Sequence, residues 1–184
     1  MGITREEDKL LLKLYEEGVI SYSEWQKILT EIYKKRGNAS LENISKVISD
    51  YTYRPGAKEV VSYLKRKKYA VALISGSMDI LVDKVAKELN IGLFESNNIF
   101  IFDENDRLDN IVVLGDDSLV KLRHLQSFCR KLGLKVSQCV AVGDGDNDIE
   151  LFKKTGHGIT FKRSKLEKYA WRTIENLMDI NSIL

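Results

Sequence analysis

The sequence predicts an α/β protein: a parallel sheet with helices on both faces, preceded by a small helical unit. Three observations carry this. From Ala70 onward, short apolar runs alternate with helical periods, and strands alternating with helices build parallel sheets. The first fifty residues hold helical periods only. Finally, Cys139-Val140-Ala141-Val142 runs straight into Gly143-Asp144-Gly145-Asp146-Asn147-Asp148, a buried strand signature leading into glycines and carboxylates. A turn of this kind falls in the crevice beyond the carboxyl ends of an open α/β sheet, where ligands bind.

Taken in order, residues 4–17 read as a helix. Thr4 caps it, Glu7 stands three residues on as its capping-box partner, and Leu10, Leu11, Leu14 and Tyr15 form one apolar face. Gly18 breaks it. A second helix spans Ser23 to about Lys35, with Trp25, Ile28, Leu29, Ile32 and Tyr33 inward, ending near Gly37. A third runs from about Ser40 to Tyr51. Pro55, the only proline, opens a helix over 56–67, where its missing N–H costs nothing. Ala70–Ile74 reads as a buried strand ending in Ser75-Gly76-Ser77, and Met78–Leu89 as a helix with Ile80, Leu81, Val85 and Leu89 inward. Ile99–Phe102 and Ile111–Leu114 flank the acidic tip Asp103–Asp106 as a small hairpin. The helix Leu119–Leu132 turns Leu122, Leu125, Phe128, Cys129 and Leu132 to one face and stops at Gly133. Beyond the strand at 139–142, a helix over 148–154, a strand over 158–161, a helix over 165–170, a short strand near 172–174 and a tail helix complete the pattern.

Composition narrows the function. A chain of 184 residues, 43% hydrophobic and 30% charged, suits one soluble domain, or one domain with a small insertion. A net charge of +2 gives no reason to expect nucleic acid or a membrane surface. Lys65-Arg66-Lys67-Lys68 ends a helix, where cations oppose the dipole favourably. Met1–Leu10 carries charges rather than an apolar leader, and no apolar run approaches the about eighteen residues of a span. Cys129 and Cys139 read as reduced, buried thiols, so a cytoplasmic protein is expected.

The chemistry gathers at the sheet's ligand edge. Ser75 and Gly76 end a strand and precede a helix, a place for an anion. Lys121 lies in the first turn of its helix and could reach a phosphate as a point charge; surface decoration is the plainer alternative. Asp144 and Asp148 follow the next strand, and hard oxygen ligands suit Mg²⁺. A Ca²⁺ loop of the EF-hand type starting at Asp144 would need Gly and Glu where Ile149 and Thr155 stand, so that reading fails. Anion turn, lysine and metal carboxylates together describe a phosphoryl-transfer pocket.

These residues carry a resemblance. Ile74-Ser75-Gly76-Ser77, Lys121 twelve residues before Gly133, and Val142-Gly143-Asp144-Gly145-Asp146-Asn147-Asp148 resemble the second, third and fourth motifs of the haloacid-dehalogenase superfamily. The branch they resemble is phosphoserine-phosphatase-like, with a small helical cap inserted after the first strand. The resemblance implies that Ser75 and Gly76 bind the substrate phosphoryl group and that Lys121 neutralises its charge. It implies that Asp144 ligates Mg²⁺, that Asp148 supports the metal, and that Asn147 lies beside the phosphate. On this reading residues 1–52 are the cap and 53–184 the core.

The family also begins with an apolar strand ending in Asp-x-Asp-x-Thr. Its first Asp attacks phosphorus and its second is the acid/base. Between Met1 and Tyr51 this chain has only Asp8 and Asp50, neither after a strand. The core is therefore expected to lack its first strand and, with it, the nucleophile. Activity would then be absent or impaired, and a non-catalytic phosphate-binding or interaction module is the alternative. The substrate class implied is a small phosphorylated metabolite. Phosphoserine is one candidate, because Ser21–Tyr33 offers Lys27 but no arginine for a carboxylate. A homodimer is allowed for. His124 is expected to be solvated on the outer helix face, His157 to be a turn residue, and Trp25 and Trp171 to be packing residues.

Overall fold

The computed structural model describes residues 3–36 and 39–184. Three helices come first: α1 Arg5–Glu16, α2 Tyr22–Arg36 and α3 Leu41–Val47. The first starts as its letters predict. Thr4 Oγ1 accepts from the Glu7 N–H at 3.2 Å, and the Glu7 carboxylate accepts from the Thr4 N–H at 3.0 Å. That bond first, and then Arg36 at 2.5 Å, pulls the Glu7 carboxyl down to about 2. The end of α2 near Gly37 lies outside the described residues.

The remaining elements are α4 Ala57–Arg66, β1 Ala72–Met78, α5 Asp79–Glu88, β2 Leu93–Phe102 and β3 Leu108–Val113. After these come α6 Asp117–Leu132, β4 Ala141–Val142, α7 Ile149–Thr155, β5 Gly158–Phe161 and β6 Arg172–Ile174. The α/β alternation is as expected. The tail Leu177–Ser182 is a run of 3₁₀ turns rather than an α-helix, and 165–170 holds only a 3₁₀ turn over Glu167–Tyr169.

The strands form two three-stranded sheets, β1-β2-β3 and β4-β5-β6. β1 runs parallel to β2, with Ala72 opposite Leu93, and β2 returns antiparallel into β3, with Phe100 opposite Ile111. In the other sheet β4, β5 and β6 are all parallel. Among the described residues no ladder joins β1 to β4, so each keeps a free edge. This corrects the expectation of a buried strand at 139–142. Only Ala141 and Val142 are strand and Val142 is 45% exposed, whereas Ile159 in β5, with a neighbour on each side, is fully buried. No residue of β1 is fully buried either.

Two cores follow this division. Leu29, Tyr33, Ile44 and Ile48 of the leading helical segment pack against Phe100, Leu108 and Ile111 of the β2–β3 hairpin. Val60, Ile159, Ile174 and Ile180 form the second core under α4 and the tail. Some faces differ from the periodic reading. In α1 only Leu11 is buried, and Leu10 and Tyr15 remain exposed. In α5 the buried pair is Val82 and Ala86, while Ile80 and Leu81 pack partly buried against the first core. His124 is half-buried rather than fully solvated, and its Nε2 is enclosed with no hydrogen-bond partner in the structure.

Cys129 and Cys139 are free thiols with their sulfurs 3.4 Å apart. Burial first, and then the neighbouring Cys129, pushes the Cys139 thiol up from 9.0 to about 11. That rise leaves about a hundredth of the ordinary thiolate at neutral pH. Cys139 should therefore react with iodoacetamide about tenfold more slowly at pH 7.5 than a solvent-exposed cysteine, the smaller thiolate fraction being partly offset by the greater nucleophilicity of a thiolate of higher pKa. A rate equal to that of a free thiol would contradict this enclosure.

Candidate active site

The site forms where the carboxyl ends of β1 and β4 meet the first turn of α6. On the β1 side, the strand runs through Ser75-Gly76-Ser77, with an irregular register between Ser75 and Met78, rather than ending before them. The Ser75 hydroxyl oxygen accepts from the Ser77 N–H at 3.1 Å, which pins the turn and leaves the hydroxyl proton free to donate. Asn98 Nδ2 donates to the Gly76 carbonyl at 2.5 Å and contacts the Tyr22 hydroxyl at 3.3 Å, tying α2 to this turn. Burial pushes the Tyr22 phenol above its usual range, and the nearby Asp117 charge adds to the shift.

On the β4 side, the turn folds around Asp148. Its Oδ2 accepts from the Asp144 N–H at 3.2 Å and the Gly145 N–H at 3.1 Å. A methyl on Gly143 would sit 2.4 Å from the Asp148 carboxyl carbon, so only glycine fits there. Lys121 closes the arrangement. It is 7% exposed, and its Nζ donates to Asp148 Oδ1 at 2.7 Å and Asn147 Oδ1 at 2.9 Å. The plainer reading of Lys121 as a surface residue is excluded. A lysine is fully buried only when paired, and here its charge faces a carboxylate.

Asp117 is the member of this site that the sequence reading missed. It follows Asp116, the helix cap, which accepts from the Leu119 N–H at 3.1 Å. The pair reads as ordinary acidic decoration of a helix start. A usable signal was its spacing: four residues before Lys121 puts both on one helix face. Its Oδ2 accepts from Asn147 Nδ2 at 3.2 Å and its Oδ1 from Asn97 Nδ2. Its carboxylate also lies against Gly76, where an added methyl would meet Oδ2 at 2.3 Å.

The structure thus brings Gly76, Asn147, Lys121 and Asp148 into one network through Asp117. Ser75 adjoins it through Gly76. Asp144 points elsewhere, its Oδ2 held by Arg54 Nη2 at 2.9 Å, while Arg54 lies over the Phe161 ring at 4.6 Å. Asp146 pairs with Lys165 at the surface. Each aspartate of the turn therefore has its own cation, and among the described residues no cluster of three or more His, Cys, Asp or Glu side chains forms. The donor set still fits Mg²⁺. That ion keeps several waters and takes one or two carboxylates plus phosphate oxygens rather than a full protein cage. Asp144, with its side chain 54% exposed, is the carboxylate free to enter such a shell once Arg54 moves. Both Asp148 oxygens are engaged, which suits a supporting role.

A family model described as haloacid dehalogenase-like hydrolase matches residues 6–156. The chain belongs to that family. Its curated relatives place it in the phosphoserine-phosphatase-like branch. It is 31% identical over 159 residues to a phosphoserine phosphatase of Methanocaldococcus jannaschii, covering 85% of this chain and 72% of that one. A second, from Archaeoglobus fulgidus, is 30% identical over 178 residues, covering 94% and 51%. Among solved structures, a substrate-bound phosphoserine phosphatase complex superposes with a TM-score of 0.79 at 29% identity, covering 97% of this chain and 85% of that one. A phospho-aspartyl intermediate analogue of phosphoserine phosphatase gives 0.77 at 28% identity, with the same coverage. For some curated relatives the matched share is small: the alignment spans 34% of the Streptomyces coelicolor phosphoserine phosphatase and about half of the Archaeoglobus one. The haloacid-dehalogenase fold expected from the motifs is the fold observed.

Proposed function

We propose that this chain carries the phosphoryl-binding and metal-supporting part of a Mg²⁺-dependent phosphomonoester hydrolase acting on a small phosphorylated metabolite, with phosphoserine one candidate. The observation that carries the reading is Lys121. It is a buried cation fixed by Asn147 and Asp148 at the edge where the Gly76 turn and the carboxylate turn converge. A buried, preorganised cation is suited to charge that builds on a transferring phosphoryl group, because it needs no reorganisation when the charge appears.

In this reading Ser75 donates its hydroxyl, Gly76 its backbone N–H and Asn147 its amide to the phosphoryl oxygens, and Lys121 balances their charge. Asp144 would hold Mg²⁺ and Asp148 would orient the turn; when bound, the ion neutralises phosphoryl oxygens and aligns the group for displacement. Residues 1–52 act as a cap over the β2–β3 side, and the two free thiols suit a cytoplasmic setting. Among the described residues no aspartate stands at the end of a strand between β1 and β4. The chain as it stands is therefore expected to turn over several powers of ten more slowly than its phosphoserine phosphatase relatives.

The test is hydrolysis of an aryl phosphate and of phosphoserine by the 184-residue chain, with and without Mg²⁺, beside Asp144→Asn. Only trace turnover, together with Mg²⁺-dependent binding of inorganic phosphate that Asp144→Asn weakens, is the expected result. Full turnover would show that another carboxylate attacks. No phosphate binding at all would remove the reading.

A further inference from the structure

We propose that Asp117 is a resident anion of the phosphoryl pocket. A phosphomonoester or inorganic phosphate binds only by displacing its carboxylate, so Asp117 sets the pocket's affinity for oxyanions. This rests on the reading of Ser75, Gly76, Lys121 and Asn147 as the phosphoryl ligands.

Three observations converge on Asp117. Its carboxylate takes one donor that an oxyanion would take, Asn147, and lies against another, Gly76. Asn147 Nδ2 reaches Oδ2 at 3.2 Å, Asn97 Nδ2 reaches Oδ1, and the Gly76 backbone lies so close that a Cβ there would meet Oδ2 at 2.3 Å. It has no capping duty, because Asp116 caps α6. Among the described residues it also lacks the ion pair that Asp144, Asp146 and Asp148 each possess. Asp117 is held instead by neutral amides, in the first turn of a sixteen-residue helix whose N-terminus favours an anion.

Asn147 transmits the effect to Lys121. Its amide has one orientation that satisfies both neighbours, Nδ2 toward Asp117 and Oδ1 toward Lys121. A phosphoryl oxygen arriving at Asn147 and Gly76 would stand beside a second anion, and like charges in contact repel. Both cannot stay. Rotation of the half-buried Asp117 side chain away from Gly76 would free the Asn147 amide for the incoming oxygen. Asn97, fully buried, would keep its other acceptor, the Gly115 carbonyl at 3.0 Å. The residue thereby selects for ligands whose charge and metal contacts outweigh the carboxylate already present.

The measurement is isothermal titration of inorganic phosphate, with Mg²⁺ present, into the full chain and into Asp117→Ala and Asp117→Asn. The asparagine variant keeps the shape of the side chain and an acceptor for Asn97, which guards against a result that reports only misfolding. Both variants should bind phosphate at least about tenfold more tightly than the parent, since a hydrogen bond to a charged group has that weight. The gain should vanish when Lys121→Gln is added. Parent binding with variants equal or weaker would overturn the role of Asp117 and leave the pocket reading standing. No binding by parent or variants would overturn both.

Discussion

Lys121→Met should destabilise the protein by about 3–5 kcal/mol, the usual cost of leaving one member of a buried ion pair without its partner. Lys121 and Asp148 have side chains only 9% and 11% exposed, and Nζ lies 2.7 Å from Oδ1. The methionine fills much the same volume, so the loss would come from Asp148, whose charge would face Asn147 and the interior with only backbone N–H groups to balance it. The companion change separates charge from packing. Lys121→Met with Asp148→Asn should recover most of the loss, because a neutral amide can still accept from the Asp144 and Gly145 N–H groups. Urea unfolding of the two singles and the double gives the coupling directly. A coupling near zero would mean that the pair is solvated despite its burial. Phosphate binding should be lost in the double variant even where stability returns.

Gly158→Ala should cost roughly 2–3 kcal/mol by overpacking. An added methyl would meet Phe152 Cγ at 2.2 Å and the ring's two Cδ atoms at 2.4 and 2.7 Å. Phe152 is 1% exposed on α7 and cannot swing into solvent. Gly158 also pairs with Ala141, so a backbone shift would travel into β4 and the carboxylate turn beyond it. Combining Gly158→Ala with Phe152→Leu should restore part of the stability, since leucine frees space beside the new methyl. A thermal midpoint unchanged by Gly158→Ala alone would show that the α7–β5 contact is looser than the structure has it.

The fold was legible where local chemistry and tertiary need agree. The Thr4–Glu7 box, Gly133 as the left-handed stop of α6 and the strand at 158–161 all formed as their letters direct. β2 was the instructive failure. Its half from Leu93 to Asn98 pairs parallel with β1, yet Ser96-Asn97-Asn98 do not read as a strand. All three are buried, and two of them bond the candidate site: Asn97 holds Asp117 and Asn98 holds Gly76. Polar residues inside a strand hide it from a hydrophobic pattern. The site motifs were legible for the opposite reason. Glycines and carboxylates at fixed spacing answer to backbone geometry, which sequence displays. Asp144's partnership with Arg54 was not legible, because it joins residues ninety positions apart whose meeting depends on the whole fold.

The division into two sheets has a consequence for how the molecule opens. Among the described residues, amide groups on the outward edges of β1 and β4 have no strand to protect them, and α6, packed on β1 and β2 on one side and α7 on the other, is a main bridge between the halves. Regions joined by few ladders behave as separate cooperative units. Hydrogen–deuterium exchange should then resolve two protection levels, with the β4-β5-β6 unit and the β1-β2-β3 unit opening at different free energies. A ligand at the junction that bridges Gly76 and Asn147 should then slow exchange in both units at once.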